Sequence, residues 1–479
     1  MKKGDILILN IVSYGFEGKG IAKIELKEKF IEGQNNFVVF VSSTFPGDKV
    51  EAILTKIKKN YAEAKLLKII EPSNLRTKPK CKYFGVCGGC KQQDLKYKNQ
   101  LEFKHKQVKE IAEHIGGFKK LYLPPIVASE HIYGYRNKME FSFSDKRWLT
   151  KDELNQSENI KDKNFALGLH IPRIFDKVLD IDECLLQSDD CNKILNFTKL
   201  FFKEKNISAY SSKTHTGFLR NLVLRQSYHS KDIMINLVTS SDDNLLLENF
   251  TKEITKQFPV IKTIVNNVNL KEAQVAVGDY EIVHYGDGHI YDKIGDKNFR
   301  ISANSFFQTN TKQAEKLYQV IIDLANFSSE NIVYDLYSGA GTITTFISDR
   351  IKYAYGFESV ESAIKDAEVN KDLNKVSNID FILTDLNKSF IPLVKQKNLP
   401  IPNIIITDPP RSGMNPRTVN DILQFSPEKI IYVSCNPTTQ MRDIKILTEK
   451  SYELKEAIPV DMFPHTFHIE NVALLELID

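Results

Sequence analysis

Apolar and polar residues alternate in short runs over the first part of the chain. Ile6-Leu7-Ile8-Leu9, Gly20–Ile24, Phe37–Val41, Lys49–Ile57 and Ala62–Ile70 have the period and length of β-strands. Turn signals separate them at Tyr14-Gly15, Gly18-Lys19-Gly20, Glu32-Gly33 and Pro46-Gly47-Asp48. Strands this short and this closely spaced close into a small barrel, a form that holds oligonucleotides on one face. Glu71-Pro72-Ser73 ends the unit. Lys56, Lys58, Lys59 and Tyr61 supply the cations and the ring that phosphate contact and base stacking require.

A helical stretch rich in Lys and Gln follows from Leu95 to Ile115, and then a mixed pattern with strands at Asn137–Ser144, Phe165–His170, Leu219–Gln226 and Asp232–Thr239. Asp145–Asn164 is polar with few apolar residues and reads as an exposed, mobile hairpin tip. From Phe299 the texture changes again. Ile332–Leu336, Tyr353–Glu358, Ile379–Thr384, Asn403–Asp408 and Lys429–Ser434 are buried-type strands separated by helix-length segments, the pattern of a doubly wound parallel sheet. The expected architecture is therefore an OB-like barrel over 1–72, a mixed α+β middle domain over 73–298 and an α/β Rossmann-like domain over 299–479.

Composition narrows the class. The 479 residues hold no apolar run near the roughly 20 needed to span a bilayer, and Asp5 follows too soon on Lys2-Lys3 for a signal peptide. A cytoplasmic protein with no membrane partner is expected. Six cysteines in a chain of this length are too few for a disulfide framework and point to metal or catalytic roles. Residues 1–110 carry 22 Lys and Arg against 12 Asp and Glu, whereas the whole chain carries 65 against 61. A basic leading part on a mildly acidic body suits a polyanion-binding module joined to an enzyme.

The candidate chemistry begins at Asp335-Leu336-Tyr337-Ser338-Gly339-Ala340-Gly341-Thr342, an acid at a strand end followed by a Gly-x-Gly turn into a helix. Such a loop lets the backbone approach a ligand closely, but it lacks the third glycine of the dinucleotide fingerprint. Glu358 ends the next strand, where a carboxylate accepts the ribose hydroxyls of an adenosine, and Asp385 follows the third, placed to meet the adenine edge. Acids ending successive strands point to S-adenosylmethionine. Asp408-Pro409-Pro410-Arg411 fixes a rigid turn at the same sheet edge, and Arg411 stands where adenine-amino methyltransferases carry a stacking aromatic. Cys435, in Ser434-Cys435-Asn436-Pro437, is placed as a nucleophile at the end of the fifth strand. Glu470 lies among aromatics and histidines near the C-terminus. Cys81, Cys87 and Cys90 form a close cluster with two intervening glycines. A fourth ligand is expected at Cys184, with Cys191 as the other candidate; spacing alone suits zinc and an iron–sulfur cluster equally.

Ser305-Phe306-Phe307-Gln308-Thr309-Asn310, the Asp335–Thr342 loop, Asp408-Pro409-Pro410-Arg411, Ser434-Cys435-Asn436-Pro437 and His468-Ile469-Glu470 occur in one order over the last third of the chain. In that order they resemble the RNA uracil-C5-methyltransferase family, specifically its 23S ribosomal RNA branch. Gly18-Lys19-Gly20-Ile21-Ala22 and Phe45-Pro46-Gly47-Asp48-Lys49-Val50 resemble the TRAM domain, a small RNA-binding barrel. The resemblance implies Cys435 as nucleophile and Glu470 as base. It implies methyl-donor contacts from Gln308, Tyr337, Thr342, Glu358, Asp385 and Asp408, and substrate contacts from Phe306 and Arg411. It also implies a [4Fe-4S] cluster on Cys81, Cys87, Cys90 and Cys184, and no obligate protein partner.

Carbon 5 of uracil is too poor a nucleophile to take a methyl group unaided. A thiolate adding at carbon 6 makes it enolate-like, and a carboxylate must then remove the carbon 5 proton. A transfer RNA substrate is the nearest alternative, since transfer-RNA members of the family commonly lack the barrel and the cluster but some cluster-bearing relatives modify transfer RNA. An inactive ribosome-assembly factor would need neither Cys435 nor Glu470. A cytosine-C5 methyltransferase typically carries a second cysteine near the cofactor, and Asp408-Pro409-Pro410-Arg411 has no thiol.

Overall fold

The computed structural model describes residues 1–25, 36–155, 163–172, 174, 176–273 and 275–478. The expected turn at Glu32-Gly33 lies outside them. Strands β1 (Ile6–Gly15), β2 (Lys19–Glu25), β3 (Asn36–Ser42), β4 (Lys49–Ile57) and β5 (Tyr61–Glu71) form a closed barrel in the order β1-β2-β3-β5-β4. Alternation carries Leu9, Ile11, Val39, Val41, Val50, Ala52 and Leu54 inward, each at most 3% exposed. Arg76, just past the barrel, grips buried Asp48 with two hydrogen bonds of 2.8 and 2.7 Å and so fixes the exit of the chain.

The helix expected over 95–115 forms at Tyr97–Ile111 and ends in a π-helical turn, Ala112–Gly116. The middle domain is a seven-stranded sheet built from β6 (Lys138–Ser144), β7 (Ala166–His170), β8 (Val178–Asp180), β9 (Leu219–Gln226), β10 (Ile233–Thr239), β11 (Ile261–Val268) and β12 (Tyr280–Tyr285). Its order is β12-β11-β10-β9-β6-β7-β8. The polar 145–164 segment joins the antiparallel strands β6 and β7, as a hairpin tip does, and holds a short helix, Lys151–Asn155; residues 156–162 lie outside the described set.

A hairpin, β13 (His289–Ile294) and β14 (Lys297–Ser302), precedes the last sheet. That sheet contains β15 (Ile332–Leu336), β16 (Tyr353–Glu358), β17 (Ile379–Leu383), β18 (Ile404–Thr407), β19 (Lys429–Ser434), β20 (Tyr452–Val460) and β21 (Glu470–Leu477), in the order β17-β16-β15-β18-β19-β21-β20. β17 to β19 are parallel, and β21 runs antiparallel to β19 and to β20. Val333, Ile404, Ile406, Ile431 and Val433 pack one face, Tyr334, Leu336, Ile405, Ile430 and Tyr432 the other. No helix among the described residues is long and apolar enough to cross a membrane.

Candidate active site

The parallel strands deliver their carboxyl ends to one edge, where the predicted acids collect. Past β15 the chain turns through Tyr337, Gly339 and Gly341, all left-handed, at φ 65, 55 and 71. A Cβ on Gly341 would sit 2.4 Å from Phe381 Cζ, so glycine is required there. Glu358 at the end of β16 braces this loop: its Oε2 accepts from the Gly339 N–H at 3.0 Å and its Oε1 from the Val360 N–H at 2.8 Å. Thr342 opens the helix Thr342–Ile347, its Oγ1 2.8 Å from Tyr318 Oη. Asp385 is exposed on the loop after β17 and accepts from the Asn387 N–H at 3.0 Å.

Asp335 Oδ2 accepts from Thr344 Oγ1 at 2.5 Å. Its Oδ1 is buried without a partner, as are Ser338 Oγ and Thr407 Oγ1 at the same edge. Burial pushes Asp335 up to about 7, and Glu358 adds to the rise. Burial also pushes Asp408 up to about 7, with Asp335 adding its charge. Carboxyls raised in this way, next to unpartnered polar atoms, are groups that a cationic, hydrogen-bonding ligand would relieve. This donor set fits an adenosyl sulfonium.

The nucleophile and base candidates meet across β19 and β21. Ser434 pairs with Asn471, and one step beyond that pair stand Cys435 and Glu470. Burial pushes the Cys435 thiol up to about 11; Glu470 and Asp408 raise it while Arg411 pulls it down. Glu470 is buried, which together with Asp408 holds its carboxyl well above the usual range. Arg411 Nη2 lies 2.8 Å from His468 Nδ1. Burial, and after it the charge of Arg411, lowers His468 to about 4, so the ring is neutral at pH 7 and accepts from the guanidinium. Arg411, Cys435, Asn436, Phe467 and His468 line a cavity of 250 Å³. Phe306 is 68% exposed while its neighbour Phe307 is buried, which leaves the Phe306 ring free to stack. Gln308 is held by its backbone oxygen, which accepts from Asn137 Nδ2 at 2.8 Å.

Two sets of residues escaped the sequence reading. Glu17, on the barrel tip between β1 and β2, lines the same cavity as Cys435. The loop before Glu470 is gripped by the Tyr97–Ile111 helix: Lys104 Nζ lies 2.6 Å from Asp461 Oδ1, and Gln100 Oε1 accepts from the His465 N–H at 2.8 Å. The signal was there as Gln100, Lys104 and Gln107, polar residues at the buried helical spacing.

Cys81, Cys87, Cys90 and Cys184 line one cavity of 570 Å³, and Cys191 is buried elsewhere in the core. Burial raises Cys90 to about 12 and Cys184 to about 11, and other cysteines of the set add to both rises. Gly89 N–H and Gln93 Nε2 approach Cys87 Sγ and Cys90 Sγ at 3.3 and 3.2 Å. Among the described residues no three His, Cys, Asp or Glu side chains gather as a site for one metal ion.

Residues 288–478 match the model of the tRNA (uracil-5-)-methyltransferase family, and residues 3–67 that of the TRAM domain. An uncharacterized RNA methyltransferase of Chlorobaculum tepidum is 43% identical over 99% of this chain and 97% of its own. The chain belongs to this RNA methyltransferase family. A second uncharacterized RNA methyltransferase, from Bacteroides thetaiotaomicron, is 40% identical over 96% of this chain and 99% of its own. The crystal structure of Pyrococcus abyssi tRNA (uracil-54, C5)-methyltransferase in complex with S-adenosyl-L-homocysteine superposes with a TM-score of 0.73 at 30% identity, covering 98% of this chain and 99% of that one.

Proposed function

We propose that this protein methylates carbon 5 of a uridine in RNA through a transient covalent bond to Cys435, with 23S ribosomal RNA as its substrate. The observation that carries the reading is the register that sets Cys435, just past β19, opposite Glu470 at the start of β21, with the charge of Arg411 acting on both. S-adenosylmethionine supplies the methyl group as a sulfonium electrophile. Gln308, Tyr337, Thr342, Glu358, Asp385 and Asp408 are the residues assigned to hold it, and the family relationship supports the same donor.

Arg411 stabilises the Cys435 thiolate. Its Sγ bonds to carbon 6 of the extruded uracil, and carbon 5 takes the methyl group. Glu470 accepts the carbon 5 proton, and the carbon 6–sulfur bond breaks to return the thiolate. Phe306 stacks beside the base. The four cysteines around one cavity, with N–H groups directed at two of the sulfurs, support a [4Fe-4S] cluster with a structural role. The barrel and the cysteine set together favour ribosomal RNA. Similarity along nearly the whole length to the Pyrococcus abyssi transfer-RNA enzyme favours transfer RNA as a second reading.

Cys435→Ala is expected to abolish methylation and leave RNA affinity intact; full turnover by that variant removes the mechanism. Glu470→Gln is expected to accumulate an RNA–protein adduct on a denaturing gel. Mass spectrometry of digested, labelled 23S and transfer RNA separates 5-methyluridine from 5-methylcytidine and the two substrates from each other.

A further inference from the structure

Glu17 belongs to the barrel, yet it lines the cavity that holds Cys435, Arg411 and His468. Its backbone is left-handed, at φ 60 and ψ 19. An L-residue with a long side chain seldom adopts that conformation, and such strain collects where a side chain must be aimed.

The tip is fixed from two sides. Gly18 also has positive φ, and a Cβ on it would sit 3.3 Å from Phe467 Cβ and 3.0 Å from Tyr14 Oη, so the barrel rests closely on the loop that leads to Glu470. Gln92 Nε2 donates to Tyr14 Oη at 2.7 Å and ties the other side of the tip to the cysteine segment. Lys19 Nζ lies 3.6 Å from Glu17 Oε2, and the Glu17 side chain keeps 57% of its exposure. Acceptor capacity is left over for a ligand.

A carboxylate repels RNA phosphates and only accepts hydrogen bonds. The donors RNA offers are base N–H groups and the ribose 2′-hydroxyl. We propose that Glu17 accepts a hydrogen bond from a base N–H or a ribose 2′-hydroxyl of the nucleotide held at Cys435, so that the barrel takes part in reading the substrate. Glu17 is a specificity residue in this arrangement. The proposal rests on Cys435 being the nucleophile.

The test compares the full chain with its Glu17→Ala, Glu17→Gln and Glu17→Gly variants on the unmodified transcript in which the unaltered chain places methyl label. Glu17→Ala is expected to lower kcat/KM about tenfold or more, the scale for losing a hydrogen bond to a charged group. Glu17→Gln keeps an acceptor oxygen and loses less. Glu17→Gly relieves the backbone, so it melts at a higher temperature while losing activity as the alanine variant does; a merely structural residue would move both together. A 2′-deoxyuridine at the labelled position separates the donors. The ribose source is shown by an equal loss for the unaltered chain with no further loss in Glu17→Ala, the base source by a factor that persists. Alanine and glycine variants within twofold of the unaltered chain overturn the proposal. If the unaltered chain forms adduct with 5-fluorouridine RNA and the variants match it, only this proposal falls; if it forms none, the reading of Cys435 falls and takes this one with it.

Discussion

Lys104 and Asp461 are 357 positions apart in the chain, yet Lys104 Nζ lies 2.6 Å from Asp461 Oδ1 and neither side chain reaches solvent. Burial pushes the Lys104 ammonium down and Asp461 opposes that. Lys104 also donates to the Phe463 carbonyl at 3.2 Å, and Tyr97 Oη donates to Asp461 Oδ2 at 2.8 Å. The helix after the cysteines thus anchors the loop that delivers Glu470. Removing one partner of a buried pair leaves the other charged and unpaired, so Lys104→Met is expected to cost about 3–5 kcal/mol. Lys104→Met with Asp461→Leu should recover much of that in denaturant melts; single losses that simply add in the double variant would mean the pair contributes nothing.

Proton linkage at two raised carboxyls gives a second expectation. Asp335 and Asp408, raised to about 7 from near 3.8, bind more protons in the folded protein than in the unfolded chain. Unliganded stability therefore falls as pH rises from about 4 to about 7. A sulfonium favours their ionised forms, so S-adenosylmethionine should bind several-fold tighter at pH 8 than at pH 6. S-adenosylhomocysteine, with a neutral sulfur, should show a smaller change. Titration calorimetry with both ligands checks this, and equal pH dependence would refute it.

The Cys435 thiol, near 11 without ligand, is protonated at neutral pH and depends on Arg411 for what thiolate it has. Arg411→Ala should raise its pKa further and slow iodoacetamide alkylation at pH 8, because the reactive thiolate fraction falls roughly tenfold for every unit the pKa climbs. An unchanged alkylation rate would separate Arg411 from the thiol.

Cys90 is followed by Lys91 and Gln92, whose N–H groups donate to the His465 carbonyl at 2.8 and 3.0 Å. Cys90→Ala is expected to lose iron and sulfide in anaerobically purified protein and to raise amide exchange over residues 461–469. Zinc as the only metal in the unaltered protein would refute the cluster without touching Cys435.

Gly341→Ala puts a Cβ within 2.4 Å of Phe381 at a φ of 71. Loss of S-adenosylhomocysteine affinity with the barrel melting unchanged is the expected result, read by calorimetry and circular dichroism.

The strands legible in the sequence are those whose pattern is local. Ile332–Leu336, Tyr353–Glu358 and Lys429–Ser434 form over the expected residues because both faces of a covered parallel strand are apolar. The pairing of β21 with β19 was not legible, since nothing near Glu470 states which strand it will join. That pairing turns an acid resembling a surface residue into a buried neighbour of Cys435. The sequence resemblance pointed to the ribosomal branch, whereas the comparisons reach only as far as an RNA uracil-5-methyltransferase. Lys104 and Glu17 were missed for a related reason: their partners lie in other domains.

The register of β21 against β19 behaves as a discrete setting. Successive side chains point to opposite faces of a sheet, so sliding the closing strand by a single residue would swing the carboxyl away from the thiol and leave an amide or an isoleucine in its place. Length changes in the turn that joins β20 to β21 are thus tolerable only if they leave this alignment untouched. A library of insertions there should divide into proteins that turn over and proteins that do not, with few in between.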